Sequence, residues 1–158
     1  MAANVYDFQS LGPLGGGTSD VTSGSSVKDS AVASGAVGSI TAGDICVYAD
    51  GYWAKSADGG VASAGKYGLA KSTSTDTASA DGLVVMEYSS KGLLIKGDMT
   101  TAANLAQGIL GDRVTLDVAS SIQKVDENDP NGVLTIVDYD NAVAGSETIT
   151  VVLPYRTE

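Results

Sequence analysis

The residues able to do chemistry are few, and the most informative one is missing: the chain of 158 residues contains no histidine. That removes the commonest general base, the commonest metal ligand and every Ser-His or Cys-His nucleophile pair. The single cysteine, Cys46, lies in the apolar run Ile45-Cys46-Val47-Tyr48. It can form no disulfide within the chain, and a buried, inert thiol is expected. A zinc site would have to rest on that one thiol and carboxylates, which is poor zinc chemistry.

Three stretches resemble functional motifs, and each lacks a part. Gly12-Pro13-Leu14-Gly15-Gly16-Gly17-Thr18 has the glycine spacing of a phosphate loop but puts Thr18 where a lysine must neutralise phosphate. Asp126-Glu127-Asn128-Asp129-Pro130-Asn131-Gly132 is similar to a calcium loop. There, however, Pro130 replaces an oxygen ligand, the glycine falls late and no glutamate closes the loop, so a solvated hairpin turn is expected. A glycosidase pair at Asp138 and Asp140 has only its carboxylates to recommend it. No catalytic residue, cofactor site or metal site is therefore assigned, and the expectation is a binding or assembly protein, not an enzyme.

The aromatic cluster Asp50-Gly51-Tyr52-Trp53 admits two readings. Tyr52 and Trp53 beside a tight turn could form a platform for a sugar or a protein; alternatively, Trp53 points inward as the largest core side chain. Charge narrows the partners. With 19 acidic residues against 9 basic ones the net charge is −10, the wrong sign for nucleic acid or an anionic membrane. No apolar run approaches the roughly 20 residues of a membrane helix. The start of the chain has no basic-then-apolar leader, so synthesis in a cytoplasm is expected.

The elements that must position these residues are short strands. Twenty glycines and only 6% aromatics favour turns and a lean Val, Ile and Leu core. Strands are expected at Asp44–Tyr48, Tyr52–Lys55, Gly82–Tyr88, Leu93–Lys96, Arg113–Val118, Ser121–Val125, Val133–Tyr139 and Glu147–Leu153, each bounded by turn residues. One helical turn is expected at Thr101–Gln107, stopped by Gly108. Gly43-Asp44 and Gly111-Asp112, 68 residues apart, each open a strand, and Leu83-Val84-Val85 matches Val151-Val152-Leu153, a weak internal repeat. The expected fold is all-β: a small barrel or sandwich of two related lobes over residues 41–158.

Residues 1–40 differ in composition, with seven Gly and eight Ser, and read as an extended, flexible N-terminal arm. Its apolar anchors, Val5, Tyr6, Phe8, Leu11 and Leu14, require a surface to cover them, either that of a partner on which the arm orders or that of the chain's own domain.

The order of these features resembles a known family. A Gly-Asp strand is followed by the Gly68-Leu69-Ala70 step, then Asp81-Gly82 leading into Leu-Val-Val. Ser-Lys-Gly-Leu-Leu-Ile-Lys-Gly-Asp follows, then Gly111-Asp112-Arg113-Val114 and a terminal Thr-Ile-Thr-Val-Val-Leu strand. Over about Thr41–Leu153 this resembles the small β-barrel decoration, or cement, proteins of tailed-bacteriophage heads. The resemblance implies a homotrimer on the outer capsid surface of the virion that staples neighbouring major capsid protein subunits. It brings no catalytic residues, and the arm residues Val5, Tyr6, Phe8, Leu11 and Leu14 become the expected capsid contact. The competing reading is a carbohydrate- or receptor-binding β-module of a tail fibre or surface appendage, with Tyr52 and Trp53 as its platform. A β-rich subunit of a non-viral shell is a third.

Overall fold

The structure, a computed structural model, describes residues 8–26, 40–57, 65–77, 80–119 and 122–155. These form β1 (Gln9–Pro13), β2 (Asp20–Ser26), β3 (Ile45–Ala49), β4 (Tyr52–Lys55), β5 (Lys66–Ala70), β6 (Gly82–Tyr88), β7 (Leu93–Gly97), β8 (Arg113–Ala119), β9 (Ile122–Asp126), β10 (Leu134–Asp140) and β11 (Thr148–Leu153). The protein is all-β, as expected. The helical turn expected at Thr101–Gln107 is instead two 3₁₀ turns, Ala102–Asn104 and Gln107–Ile109, neither of which buries a residue. Leu105, between the two turns, is buried in the main core and Ala102 and Ile109 pack against it, but so short a segment has little to offset the cost of helix nucleation.

The strands make two lobes. In the first, the order β2-β4-β3-β5-β6 closes into a barrel, sealed between β2 and β4 by one parallel pair, Ser26 with Trp53. In the second, the curled sheet has the order β1-β7-β11-β10-β8-β9. Omitting β1, the two orders are the same when β2 to β6 are matched to β7 to β11. The match holds residue by residue. Gly43 and Gly111 both sit at positive φ, 93° and 91°, at the entrance to β3 and β8. Gly43 N–H donates to the Ala70 carbonyl and Gly111 N–H to the Ile136 carbonyl, both at 2.8 Å. Ala70 and Ile136 donate back to the carbonyls of Asp44 and Asp112 at 2.8 and 2.9 Å. Even the closure is repeated, because Met99 bridges Val125 in parallel as Ser26 bridges Trp53.

The register also corrects the repeat read from sequence. Thr22 faces Met86 as Ile95 faces Val151, so Met86 corresponds to Val151, and Leu83 corresponds to Thr148, not to Val151. Both lobes keep their strand pairing while the connecting segments differ in length.

The lobes share a wall. Along β3 and β5, Ile45, Tyr67 and Leu69 face the second lobe and join its core of Leu93, Ile95, Val114, Leu116, Ile136 and Val151. Their neighbours Cys46 and Ala70 face the barrel interior with Trp53, Val84 and Met86. Strands buried on both faces read as continuous apolar runs, as Ile45-Cys46-Val47-Tyr48 does. Trp53 (3% exposed) fills the barrel. Glycine makes room for it on two walls: a Cβ on Gly24 would lie 2.7 Å from the indole Cδ1, and one on Gly68 would lie 3.0 Å from Cη2.

The arm expected over residues 1–40 is corrected for residues 8–26, which belong to the body of the protein. Phe8 is 4% exposed and part of the main core. β1 pairs antiparallel with β7, with a register shift between Ser10 and Gly12, and β2 pairs with β6 along its whole length from Asp20 to Ser26. Backbone pairing carries these strands, so their low side-chain hydrophobicity hid them. Val5 and Tyr6 lie outside the described residues.

One buried side chain makes three hydrogen bonds from the second lobe to the first. Gln123, buried on β9, accepts from Ile45 N–H at 2.7 Å and donates to the carbonyls of Ile45 and Ser56 at 2.8 and 2.9 Å. Truncating it strands a buried donor that has no access to water. The Gln123→Ala variant is expected to lose about 2–4 kcal/mol in denaturant unfolding; a loss below about 0.5 kcal/mol would show that the lobes do not depend on this bond.

Candidate functional site

The buried and part-buried carboxylates are occupied by structural work. Asp44 pairs with Lys55 at 3.2 Å and accepts from Thr41 N–H and Oγ1 at 2.8 and 3.1 Å. Asp98 pairs with Lys124 at 3.4 Å. Glu127 accepts from Thr100 N–H and Oγ1 at 3.1 and 2.8 Å and from Asn104 Nδ2 at 3.2 Å, fastening the 3₁₀ segment to the β9–β10 connection. Asp129 accepts from Thr115 Oγ1, Asn131 N–H and Asn131 Nδ2, and the Asn131 bonds hold its carboxyl below the usual range. The stretch similar to a calcium loop is thus a turn whose Glu127 is buried on protein donors and whose Asp126 and Asp129 accept from the turn's own residues. Asp138 and Asp140 accept from the backbone N–H groups of Tyr139 and Ala142 at 2.8 and 3.0 Å. Among the described residues no group of three His, Cys, Asp or Glu side chains is placed to hold a metal ion.

The sequence-level contact residues are scattered. Tyr52 and Trp53 point to opposite faces of β4, so they form no joint platform. Trp53 lies inside the barrel, and Tyr52 bonds to Asp81, which raises the phenol above its ordinary value. Trp53 begins a run of rings instead, 5.1 Å from Tyr48 and 6.1 Å from Tyr88. Tyr88 stacks on Tyr155 at 4.3 Å, and Lys66 Nζ sits 5.6 Å above Tyr48 and 6.0 Å above Tyr155. Burial, aided by the neighbouring Tyr88, pushes the Tyr155 phenol up.

Of the arm anchors, Phe8 is core, while Leu11 and Leu14 are 53% and 45% exposed. Leu11 lies within β1, and Leu14 opens the β1–β2 connection, Leu14-Gly15-Gly16-Gly17-Thr18-Ser19, which is fastened at its base. Leu14 N–H donates to the Gly92 carbonyl at 2.8 Å. Ser10 and Ser19 hydroxyls both donate to Oε1 of the buried Glu87, at 3.0 and 2.9 Å, and Lys71 approaches the other oxygen at 3.9 Å. The structure therefore presents two apolar side chains on a tip whose root is fixed.

A second surface feature escaped the sequence reading. On the outer face of the second lobe a cleft of about 400 Å³ is lined by Ser90, Lys91, Gly92, Arg113, Val133, Thr135, Val152, Pro154 and Tyr155. Arg113, Thr135 and Val152 form one row across β8, β10 and β11. Two cations and three hydroxyls line it without a carboxylate, on a chain of net charge −10, which suits an acidic group of a partner. Its residues come from four separate stretches, so no local motif marks it. Comparison with protein-family models, curated proteins and solved structures finds no match to this chain.

Cys46 is fully buried, and burial, with Asp44 adding to it, pushes its thiol well above the ordinary value of 9.0. Because the folded-state value is the higher one, this contribution to stability is complete below about pH 9 and is lost as the pH rises further. Cys46 is expected to resist alkylation at pH 8 until denaturant is added, and the denaturant midpoint is expected to fall above pH 9. Native-state alkylation at the rate of a free thiol would contradict the burial.

Proposed function

We propose that this protein is a structural decoration protein of a tailed-phage head, binding the outer surface of the shell and stapling neighbouring major capsid protein subunits in trimeric copies. The observation that carries this reading is the end of β1 and the connection after it, where Leu11 on the strand and Leu14 on the connection stand exposed beside anchors to Glu87 and Gly92. Exposed leucines on a fastened projection are features of a contact, not of a core. Because the root is already ordered, less conformational entropy is lost on docking than a free arm would lose. Burying the two leucines returns roughly 1.5–3 kcal/mol each, so one copy binds weakly and firm attachment comes from several copies acting together. The duplicated lobe and the buried carboxylates held by protein donors, Asp44, Glu87 and Glu127, fit a structural scaffold.

One observation favours a second reading. The cleft with Lys91, Arg113 and the Tyr155 ring would suit an acidic sugar of a receptor, in place of the Tyr52 and Trp53 platform. Co-sedimentation with undecorated phage heads separates the two. The full chain is expected to pellet with heads, and the double variant Leu11→Asp, Leu14→Asp is expected to stay in the supernatant with an unchanged unfolding midpoint. If the double variant pellets as well as the parent, the tip is not the contact. If only Lys91→Glu or Arg113→Glu abolishes binding, the cleft is.

A further inference from the structure

The internal repeat reveals a vacancy. In the second lobe the outer edge of β7 is covered by β1, which pairs antiparallel with Leu93–Lys96. The register places Thr22 of β2 where Ile95 stands on β7, so residues 20–23 are the counterpart of residues 93–96. Among the described residues no strand lies along that edge of β2. Its partners are β6 along one side and, on the other, Trp53 at Ser26 alone. Asp20, Val21 (55%), Thr22 and Ser23 are all exposed.

The other outward-facing edges among the described residues carry the devices that discourage strand addition. β1 has an irregular register and ends in Pro13, which offers no N–H. β9 carries Lys124 and is bridged at Val125 by Met99. β2 has neither bulge, proline nor lysine, and its register with β6 runs unbroken over seven residues. A regular, exposed and unguarded edge is a template for another strand.

We infer that the β2 edge binds the β2 edge of a second copy of this chain, antiparallel about a two-fold axis, joining the two barrels through a continuous β6–β2–β2–β6 sheet. The second lobe shows that an antiparallel strand of this chain fits such an edge, and β2 is itself complementary to β2. Facing residues in an antiparallel pair turn their side chains to the same face, so the axis passes through a residue, Thr22 or Ser23. An axis at Thr22 sets Asp20 opposite Gly24, and one at Ser23 ends the pairing before Asp20, because β4 already holds the outer edge of Ser26. Either way the only charge on the strand avoids its own copy. Small side chains, Thr22-Ser23-Gly24-Ser25, leave the backbones free to approach. One strand edge buries less than the roughly 1,200–2,000 Å² of a standard interface, so the association is weak and concentration-dependent. It involves neither Leu11 nor Leu14, and its failure leaves head binding through the tip unaffected.

Two single-cysteine additions to the full chain, Thr22→Cys and Ser23→Cys, test both the contact and its axis. Residues facing across an antiparallel pair have Cα atoms about 4.5–5.5 Å apart, within disulfide reach. Under mild oxidation one of the two variants, and not the other, is expected to give a disulfide-linked dimer. The parent chain serves as control, since its only thiol, Cys46, is buried. Sedimentation velocity of the parent is expected to show monomer passing to dimer between micromolar and millimolar concentration. Cross-linking of neither variant, equal cross-linking of both, or a parent that remains monomeric throughout would each overturn the inference.

Discussion

The structure hangs on one wall that is buried from both sides. β3 and β5 belong to the barrel, yet their outward residues Ile45, Tyr67 and Leu69 form part of the core of the second lobe. Along Ile45, Cys46 and Tyr67 to Ala70 both faces are buried, so the backbone N–H and C=O groups there need partners inside the protein. Neighbouring strands supply most of them. At Ile45, where β3 begins, Gln123 adds to them, gripping Ile45 through both N–H and C=O and reaching the Ser56 carbonyl as well. A primary amide can donate and accept at once, which lets one residue of the second lobe act as a short piece of strand for the first. The two lobes are therefore one cooperative body.

Duplication explains the architecture, and its departures explain the differences between the lobes. Both copies begin their second strand at a glycine with positive φ, Gly43 or Gly111, and both close through a single parallel bridge. The first copy holds Trp53 at that bridge, accommodated by Gly24 and Gly68. The second holds Val125 and fills its volume with Ile, Leu and Val from the sheet and with Phe8, contributed from outside the repeat by the residue just before β1. The N-terminal segment thus serves the second lobe twice, as a core side chain and as a cover for the β7 edge, while among the described residues no strand covers the equivalent edge of the first lobe.

The same division separates scaffold from surface. Polar groups drawn into the interior, such as Glu87, Glu127 and Asp44, are neutralised or hydrogen-bonded by serines, threonines, asparagine and lysine close at hand. Their task is to set loop positions. What remains for recognition is geometric: two leucines on a fixed tip, a cationic cleft on an acidic molecule, and a bare strand edge. Each works by complementarity of shape or hydrogen bonding, consistent with the assembly role proposed above.

The sequence by itself determined the all-β character, the boundaries of β4 and β6, and the pairing of Gly43-Asp44 with Gly111-Asp112. These were legible because turn residues and alternating apolar positions act over a few residues, within reach of local pattern. It misread β1 and β2 as arm, because Asp-Val-Thr-Ser-Gly-Ser-Ser has little intrinsic preference for a strand. That segment is extended because β6 offers a ladder beside it, and its Gly24 is there because Trp53 occupies the space a side chain would need. Tertiary structure likewise decided that Trp53 points inward, that Phe8 parts company from Leu11 and Leu14, and that Lys91 and Arg113 converge on one cleft. The physical reason is common to all of these. Each depends on which distant strand lies alongside, and in a protein built from long-range β pairing that information is written between segments, not within them.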